Sequence, residues 1–198
     1  MPTADAGTSL FLKRWLRRPF AVGAVLPSGP LLGKAMAKAT LAAMAGREGH
    51  AVELGSGTGE ISKALLAAGI PSNRLAMIEY DPELATFLRR NFRGPRIIEG
   101  DASKLSELLS ANGVAKVSVI VSCLPLLSLP AEVVNGIVEG AFKMLPRGGV
   151  FVQFTYGPAS PVPKNLRDSL KLDGRRGPRI WRNVPPAVVW TFTRPAGA

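Results

Sequence analysis

The organisation of this chain follows from the stretch Ala51-Val52-Glu53-Leu54-Gly55-Ser56-Gly57-Thr58-Gly59, a short apolar strand that leads directly into three alternating glycines. Glycine has no Cβ, so a loop built from it can turn sharply and bring backbone N–H groups against a ligand. A helix is expected from Glu60, and its positive N-terminal end would face the same place. The stretch therefore predicts a strand, a loop and a helix around a nucleotide-type pocket.

The spacing of the glycines indicates which nucleotide fits. A dinucleotide-binding loop has the order G-x-G-x-x-G, and Glu60 takes the position of its last glycine here. A carboxylate there would repel a pyrophosphate, which disfavours NAD and FAD. The next strand, expected over 75–80, contains Glu79, well placed to accept hydrogen bonds from both hydroxyls of a ribose. An adenosine without phosphates fits this arrangement better.

Three features in sequence order resemble the class I S-adenosylmethionine-dependent methyltransferases: the E-x-G-x-G-x-G loop, the strand-end Glu79, and Glu99-Gly100-Asp101-Ala102 after a third strand. The resemblance implies S-adenosylmethionine as cofactor, with Asp101 on the adenine amino group and the glycine loop on the methionine part. The cofactor-binding residues that it implies are Glu53, Gly55, Ser56, Gly57, Thr58, Gly59, Glu79, Tyr80, Asp101, Ala102 and Ser122. The alternative is a purely structural glycine turn in an unrelated α/β domain.

Composition limits the function classes. The chain has 198 residues, enough for one α/β domain, and no apolar run long enough to cross a bilayer or signal-peptide layout, so we expect a cytoplasmic protein. A single cysteine, Cys123, and a single histidine, His50, exclude an internal disulfide and leave no credible metal site. The net charge of +11 implies an acidic partner, which is either nucleic acid or anionic lipid.

Near the N-terminus the residues predict a short basic amphipathic helix over 10–18. Four cations, Lys13, Arg14, Arg17 and Arg18, fall on one arc, and Phe11, Leu12, Trp15 and Leu16 fall on the opposite one. Cations beside aromatic residues favour docking on an anionic membrane, and packing in the core is the alternative. We therefore divide the chain into a membrane-docking helix and linker over 1–28 and a methyltransferase domain over 29–198.

From His50 onward, strand and helix signals alternate, which predicts parallel βαβ units. A helix with Ser28 as N-cap and its end near Ala45 should pack on the sheet. The link 184–186 is too short for a crossover helix, so strands expected over 179–183 and 187–192 should form an antiparallel hairpin after a basic turn over 175–179. The predicted fold is α/β and Rossmann-like, a class I methyltransferase fold with a seven-stranded, mostly parallel sheet and a terminal antiparallel hairpin.

The loop after the fourth strand bears on the methyl acceptor. It reads Ser122-Cys123-Leu124-Pro125-Leu126. Adenine N6-methyltransferases carry Asn or Asp, Pro and then an aromatic ring here, which stacks on a flipped base. Ser122 and Leu126 replace the amide or acid and the ring, so a base finds no stacking partner. An apolar, proline-stiffened loop suits an acyl chain or glycerol backbone better, unless it merely covers the edge of the core.

Several segments together resemble the soluble bacterial phospholipid N-methyltransferases, which are related to the rRNA adenine dimethylases. They are Val22–Ser28, Val52–Gly59, Ile78–Asp81, Ser122–Ser128, Gln153–Gly157 and Trp181–Ala187. The resemblance implies methyl transfer to the amine of phosphatidylethanolamine, up to three times, toward phosphatidylcholine, by an enzyme that docks reversibly on the inner face of the cell membrane. Two residues depart from the pattern: Cys123 stands where glycine is expected and Ser118 where an acidic residue is common.

The remaining predictions concern catalysis and partners. Tyr156 and Ser122 are the candidate catalytic residues, and Tyr156 could orient the amine or hold a methylated ammonium on its ring. The substrate and membrane contacts are expected from Leu124 and Pro125 together with Phe11, Lys13, Arg14, Trp15, Arg17 and Arg18. We expect no metal and a monomer. The rival functions are an rRNA or DNA adenine N6-methyltransferase and a catalytically silent membrane-binding module.

Overall fold

The structure, a computed structural model, describes residues 29–195. The predictions on residues 1–28 lie outside the described residues. These are the amphipathic docking helix with Phe11, Lys13, Arg14, Trp15, Arg17 and Arg18, and the linker that follows it.

Within the described residues, seven strands form one mixed sheet in the order β3-β2-β1-β4-β5-β7-β6. The first five strands are parallel, and β7 pairs antiparallel with both β5 and β6. This confirms the predicted fold class, including the terminal antiparallel hairpin. The strands are β1 His50–Leu54, β2 Leu75–Glu79, β3 Arg96–Glu99, β4 Val117–Ser122, β5 Val150–Thr155, β6 Asp173–Ile180 and β7 Ala187–Thr193.

Six α-helices connect or flank these strands in the described part of the chain. They are α1 Pro30–Met44, α2 Glu60–Ala67, α3 Pro82–Asn91, α4 Leu105–Ala111, α5 Ala131–Met144 and α6 Lys164–Ser169, and single 3₁₀ turns lie at Ser72–Arg74, Ala102–Lys104 and Leu126–Ser128. No helix of residues 29–195 has both the length and the apolar content needed to cross a membrane. The sequence did not predict α6.

The sheet is covered on both faces, because successive strand residues point to opposite sides. On β2, Leu75 and Met77 join the core with α1, α2 and α3, whereas Ala76 and Ile78 join the core with α4, α5 and α6. Every residue of the central strand β4 is buried. These two cores hold the strand ends in fixed positions, which is what a site at the edge of the sheet requires.

The first helix of the described chain begins one residue later than predicted. Gly29, and not Ser28, is the N-cap, and it makes no side-chain capping hydrogen bond. Pro30 can begin the helix because the first N–H of a helix has no intrahelical partner. As predicted, α1 packs on the sheet, and Met36 is fully buried there.

The largest correction concerns β6. A turn was predicted over 175–179, but these residues lie inside the strand Asp173–Ile180, and the turn follows at residues 181–186. The glycines and the proline of this segment suggested a turn, but they are also tolerated on an edge strand with a bulge. The pairing with β7 shifts register between Arg176 and Arg179, as a bulge requires.

Candidate active site

The carboxyl ends of β1, β2, β3 and β4 meet around one pocket, which is where open parallel sheets carry their reactive groups. Residues from five separate segments of the chain line it. They are Gly55, Ile78, Glu79, Tyr80, Gly100, Asp101, Ala102, Leu124, Pro125, Leu129, Val133 and Ile137. Seven of the predicted site residues, Gly55, Glu79, Tyr80, Asp101, Ala102, Leu124 and Pro125, are therefore brought together.

The glycine loop turns as its sequence predicts. Gly55 has φ +71°, and its N–H donates to the carbonyl oxygen of Ile78 at 2.9 Å, which binds the loop to β2. A Cβ on Gly55 would lie 2.5 Å from Cδ2 of Leu124, in the loop after β4. Glycine is required at this position because any side chain would collide with the loop expected to meet the methyl acceptor.

Glu79 connects the glycine loop to the end of β2. Its carboxylate accepts hydrogen bonds from the N–H of Gly57 at 2.7 Å and from the N–H of Asp81 at 3.0 Å. Burial raises the pKa of this carboxyl above its ordinary value, although these hydrogen bonds and one from the backbone of Tyr80 act in the opposite direction. The N–H of Gly57, expected to point at a ligand, is thus directed at a carboxylate, and a phosphate beside that carboxylate would be repelled.

Asp101 lies at the end of β3, across the pocket from the glycine loop. Its Oδ1 accepts a hydrogen bond from the N–H of Ser103 at 2.8 Å, which caps the turn Ala102–Lys104. This hydrogen bond holds Asp101 in place at the pocket, whose lining it joins. A carboxylate there can accept a hydrogen bond from an amino group.

The remaining predicted loop residues lie outside the pocket lining. Thr58 is exposed, and Gly59 is buried under the ring of Phe92. Ser56 is 6% exposed, and its hydroxyl has no hydrogen-bond partner in the structure. A buried hydroxyl without a partner is unfavourable unless a ligand supplies one, so Ser56 could bind a polar group of the cofactor.

Past β4, the loop expected to meet the acceptor shows an apolar surface to the pocket through Leu124 and Pro125. Leu126 is buried in the core with 3% exposure, so that position offers no surface to a base, whatever side chain stands there. Ser122 is fully buried, and its hydroxyl accepts a long, 3.4 Å hydrogen bond from the N–H of Leu124. Ser122 thus supports the loop from below, and it does not line the pocket.

Tyr156 follows β5 and is half-buried. Its ring makes an edge contact with Phe154 at 5.4 Å between centroids, and it packs with Cys123 on the core of α1, α2 and α3. It does not line the pocket formed by Leu124 and Asp101. Burial, together with the neighbouring Cys123, raises the pKa of the Tyr156 phenol. The phenol therefore remains protonated at neutral pH and can donate a hydrogen bond.

Within residues 29–195, no group of three or more His, Cys, Asp and Glu side chains is arranged to hold a metal ion. The groups that line the pocket are two carboxylates, those of Glu79 and Asp101, and an apolar wall.

Comparison with known proteins identifies the family to which the chain belongs. No family model matches the chain. The ornithine lipid N-methyltransferase of Singulisphaera acidiphila is 30% identical over 153 residues, which cover 75% of this chain and 78% of that enzyme. This chain belongs to the same family, the class I S-adenosylmethionine-dependent methyltransferases.

Solved structures agree on the fold. The glycopeptide N-methyltransferase MtfA, in complex with (S)-adenosyl-L-methionine, superposes with a TM-score of 0.63 at 12% identity and covers 82% of this chain and 94% of its own. A TehB-like S-adenosylmethionine-dependent methyltransferase from Corynebacterium glutamicum superposes with a TM-score of 0.55 at 20% identity and covers 96% and 99%. Both confirm the Rossmann-like methyltransferase architecture.

The methyltransferase has residues that fit its cofactor, S-adenosylmethionine. The Ser56 hydroxyl is buried without a hydrogen-bond partner, and Asp101 lines the pocket with a carboxylate. The carboxylates of Glu79 and Asp101 favour a cationic sulfonium and disfavour a phosphate. This agrees with the interpretation of the sequence as a site for adenosine without a phosphate chain.

Beneath the glycine loop lies a cluster that sequence reasoning described only in part. Glu53 is fully buried, accepts a hydrogen bond from the Ser62 hydroxyl at 2.6 Å, and faces the Cys123 thiol at 3.7 Å. Burial raises the pKa of the Glu53 carboxyl to about 7, while Ser62 and Cys123 partly oppose that rise. The cluster joins β1, α2 and the loop after β4, and Glu53 lies below the pocket and outside its lining.

Two residues at the site had no predicted role. Ser62 was missed, although it is a polar residue between apolar neighbours on the buried face of α2. Gln153 is fully buried on β5, and its side-chain amide donates to the carbonyl oxygens of Leu124 at 3.0 Å and Phe154 at 2.8 Å. A glutamine within an otherwise apolar strand was the available signal. Gln153 therefore holds the loop after β4 in place through the backbone carbonyl of Leu124.

Proposed function

We propose that this methyltransferase transfers methyl groups from S-adenosylmethionine to the amine of a membrane lipid, with phosphatidylethanolamine and its mono- and dimethyl forms as acceptors on the way to phosphatidylcholine. The observation that carries the proposal is the apolar wall that faces the carboxylates across the pocket, formed by Leu124, Pro125, Leu129, Val133 and Ile137. An acyl chain or glycerol backbone can pack on this wall, whereas the loop after β4 offers a base no aromatic ring.

Glu79 and Asp101 have the task of holding the cofactor. We assign the ribose hydroxyls to Glu79, whose carboxylate is held at the pocket by backbone N–H groups of the glycine loop and of the residues after β2. We assign the adenine amino group to Asp101, and the methionine part to the glycine loop with Ser56. When bound, S-adenosylmethionine supplies a methyl group on a sulfonium, which is already activated for transfer to a neutral amine.

The protein must then present the acceptor amine in its neutral form and let a proton leave. Because the pKa of Tyr156 is raised, this phenol is a poor proton acceptor. We assign it an orienting role, in which its hydroxyl donates to the lipid and its ring stabilises a methylated ammonium by cation–π attraction of about 0.5–2 kcal/mol. Water is the proton acceptor in this proposal.

An ornithine-headed lipid is the second candidate acceptor, because the 30% identical relative is an ornithine lipid N-methyltransferase. The two acceptors share a primary amine and apolar chains, and they differ in the anion beside the amine, which is a phosphodiester in one and a carboxylate in the other. We favour phosphatidylethanolamine because the sequence segments resemble phospholipid N-methyltransferases. We place the enzyme at the cytoplasmic face of the membrane as a peripheral protein, since its net charge of +11 favours anionic lipid.

The adenine methyltransferase alternative is disfavoured by the loop after β4. Its apolar residues reach the pocket, while Leu126, in the position of the aromatic ring, is buried. A base extruded from a duplex or loop would lose its stacking without gaining an aromatic ring from this loop.

The test is methyl transfer from labelled S-adenosylmethionine to three acceptors in parallel: phosphatidylethanolamine vesicles, vesicles with an ornithine lipid, and rRNA. We expect label in the phosphatidylethanolamine lane, as mono-, di- and trimethylated products. If label appears only in the ornithine lipid, the acceptor is an ornithine lipid in place of phosphatidylethanolamine, and the proposal of lipid methylation stands. Label only in RNA would refute the proposal.

A further inference from the structure

The turn between β6 and β7, residues 181–186, displays large apolar side chains to solvent. Trp181 is 72% exposed and Val184 is 76% exposed. The other large apolar side chains exposed in the described residues, Leu127, Phe87 and Leu31, range from 56% down to 39%. Exposed apolar side chains that lie together are typical of an interaction site.

This turn is held in shape from within. Asn183 is 3% exposed, its backbone N–H donates to the carbonyl oxygen of Ile180 at 3.2 Å, and its side-chain amide donates to the carbonyl oxygen of Pro185 at 2.7 Å. The turn is thus closed around a polar residue, and the side chains on both sides of it point outward.

Arginines accompany the apolar side chains. The guanidinium of Arg179 lies 4.7 Å from the centroid of the Trp181 ring, and Arg182 is exposed beside it. Along the same strand, Arg175 and Arg176 are also exposed, and none of these four arginines forms an ion pair with a carboxylate of residues 29–195. Tryptophan next to unpaired arginine is the composition favoured at the boundary between lipid headgroups and acyl chains.

The position of the turn brings it to the edge that carries the pocket. Strands β5 and β6 both run antiparallel to β7, so Ile180 at the end of β6 lies at the same edge as the carboxyl ends of β1 and β4. Leu127, 56% exposed in the loop after β4, follows the pocket residues Leu124 and Pro125 at that edge. The turn, the loop after β4 and the pocket therefore share one side of the molecule.

The first described residue also lies against this turn. A Cβ added to Gly29 would lie 2.7 Å from Oδ1 of Asn183. The beginning of α1 and the turn are therefore adjacent.

We propose that the β6–β7 turn is a membrane anchor: Trp181 and Val184 insert into the interfacial layer of a bilayer that contains anionic phospholipids, and Arg179 and Arg182 contact the lipid phosphates. The inference rests on the proposed function, because a lipid amine reaches the pocket only if this edge of the sheet meets the bilayer. A bilayer fits better than a protein partner because cations surround the apolar side chains without complementary carboxylates.

Fluorescence tests the insertion directly. Wild-type protein and Trp181→Phe are mixed with vesicles of phosphatidylethanolamine and phosphatidylglycerol, with and without brominated acyl chains. Trp181 should shift its emission to shorter wavelength and be quenched by the bromines, so both signals should fall in Trp181→Phe. If wild type and variant respond identically while the protein co-sediments with vesicles, contact is made elsewhere and the inference is wrong. Quenching of Trp181 by RNA without a response to vesicles also overturns it.

Partitioning tests the contribution of each side chain. Trp181→Ala and Val184→Ser should each lower the vesicle partition coefficient by roughly tenfold, the effect expected for losing a buried large apolar side chain. The matched control is Phe87→Ser, since Phe87 is 42% exposed on α3, which packs on β2 and β3 at the opposite end of the sheet. Arg182→Glu should lower the vesicle partition coefficient and make it less dependent on salt concentration. Arg90→Glu on α3 is the matched control for this charge reversal. Equal losses in test and control variants would refute an anchor at the turn.

The failure of this inference can be distinguished from failure of the proposed function. Methyl transfer to lipid dispersed in detergent micelles does not require bilayer docking, so Trp181→Ala should retain that activity while losing activity on vesicles. Micellar activity without insertion of Trp181 refutes the anchor alone. Insertion of Trp181 without methyl transfer to any lipid amine refutes the acceptor and leaves the anchor standing.

Discussion

Replacing Glu53 with glutamine is expected to stabilise the methyltransferase at alkaline pH and to change its stability little near pH 5. The wild-type carboxyl is fully buried, and burial raises its pKa from 4.5 to about 7. Glutamine has nearly the same shape, and its amide oxygen can still accept the hydrogen bond that the Ser62 hydroxyl gives to Glu53 at 2.6 Å. The substitution therefore removes the buried charge and retains the contact.

The sign and size of the effect follow from protonation of the folded and unfolded chains. Below pH 4.5, Glu53 is protonated in both states, so it imposes no penalty. From pH 4.5 to about pH 7 the unfolded chain releases the proton and the folded chain keeps it, so the free energy of unfolding decreases as pH rises. Above pH 7 the loss is complete, and it amounts to about 3 kcal/mol. Ionised Glu79 adds to the penalty, because the two carboxylates repel each other.

Urea unfolding of both proteins at pH 5, pH 7 and pH 8.5 measures this. The advantage of Glu53→Gln should grow from under about 1 kcal/mol at pH 5 to about 3 kcal/mol at pH 8.5. Glu139→Gln, an exposed substitution in the middle of α5, should show no such trend. A Glu53→Gln advantage that stays constant with pH would show that the buried carboxylate is not penalised, and the reasoning on this cluster would fail.

Three other substitutions test the loops around the pocket. Gly55→Ala should lower the free energy of unfolding by about 1–3 kcal/mol and should bind S-adenosylmethionine more weakly in calorimetry. The reason is that φ is +71° at Gly55 and that the added Cβ would lie 2.5 Å from Leu124. The control is Gly69→Ala, which has a positive φ but no such contact and should bind the cofactor normally. Gln153→Leu should raise KM for lipid and cost about 1–3 kcal/mol in urea unfolding, because the Leu124 carbonyl loses its donor. An unchanged KM would exclude a role of Gln153 in holding the loop. Tyr156→Phe should lower kcat by about tenfold or less and leave the shape of the pH–rate profile between about pH 6 and pH 9 unchanged. The raised pKa keeps the phenol protonated, so it does not act as the general base. Loss of the ascending limb of the pH–rate profile in the variant would contradict this.

The elements that the sequence predicted well are those in which local pattern and tertiary environment agree. The E-x-G-x-G-x-G loop predicted the β1 turn, because left-handed backbone at Gly55 leaves little choice of residue. The acidic residues at the ends of β2 and β3 were predicted to meet at one pocket, because parallel strands end at a common edge. Glu79 and Asp101 both line that pocket.

The predictions that failed concern properties that depend on distant contacts. Glycine, proline and arginine between 174 and 179 have the composition of a turn, and only pairing with β7 makes them an edge strand. Ser122 is the last residue of β4 and Tyr156 is the first residue after β5, and neither lines the pocket, although both strands end at its edge. Their catalytic roles stay predictions. The Glu53–Ser62 contact joins a strand to the helix after it, and its length could not be read from spacing alone.

Both outer strands of the sheet are poor templates for further strands. On one side, β6 presents Arg175, Arg176 and Pro178, all exposed, and on the other side β3 spans only four residues, Arg96–Glu99. Like charges and a proline without an N–H discourage a second copy from adding its own strand in register. A protein bound to a two-dimensional surface has a raised local concentration, which favours association between copies. The outer strands β6 and β3 oppose the growth of fibres by edge-to-edge pairing. On the membrane that we propose as its site of action, the methyltransferase would therefore stay as separate molecules.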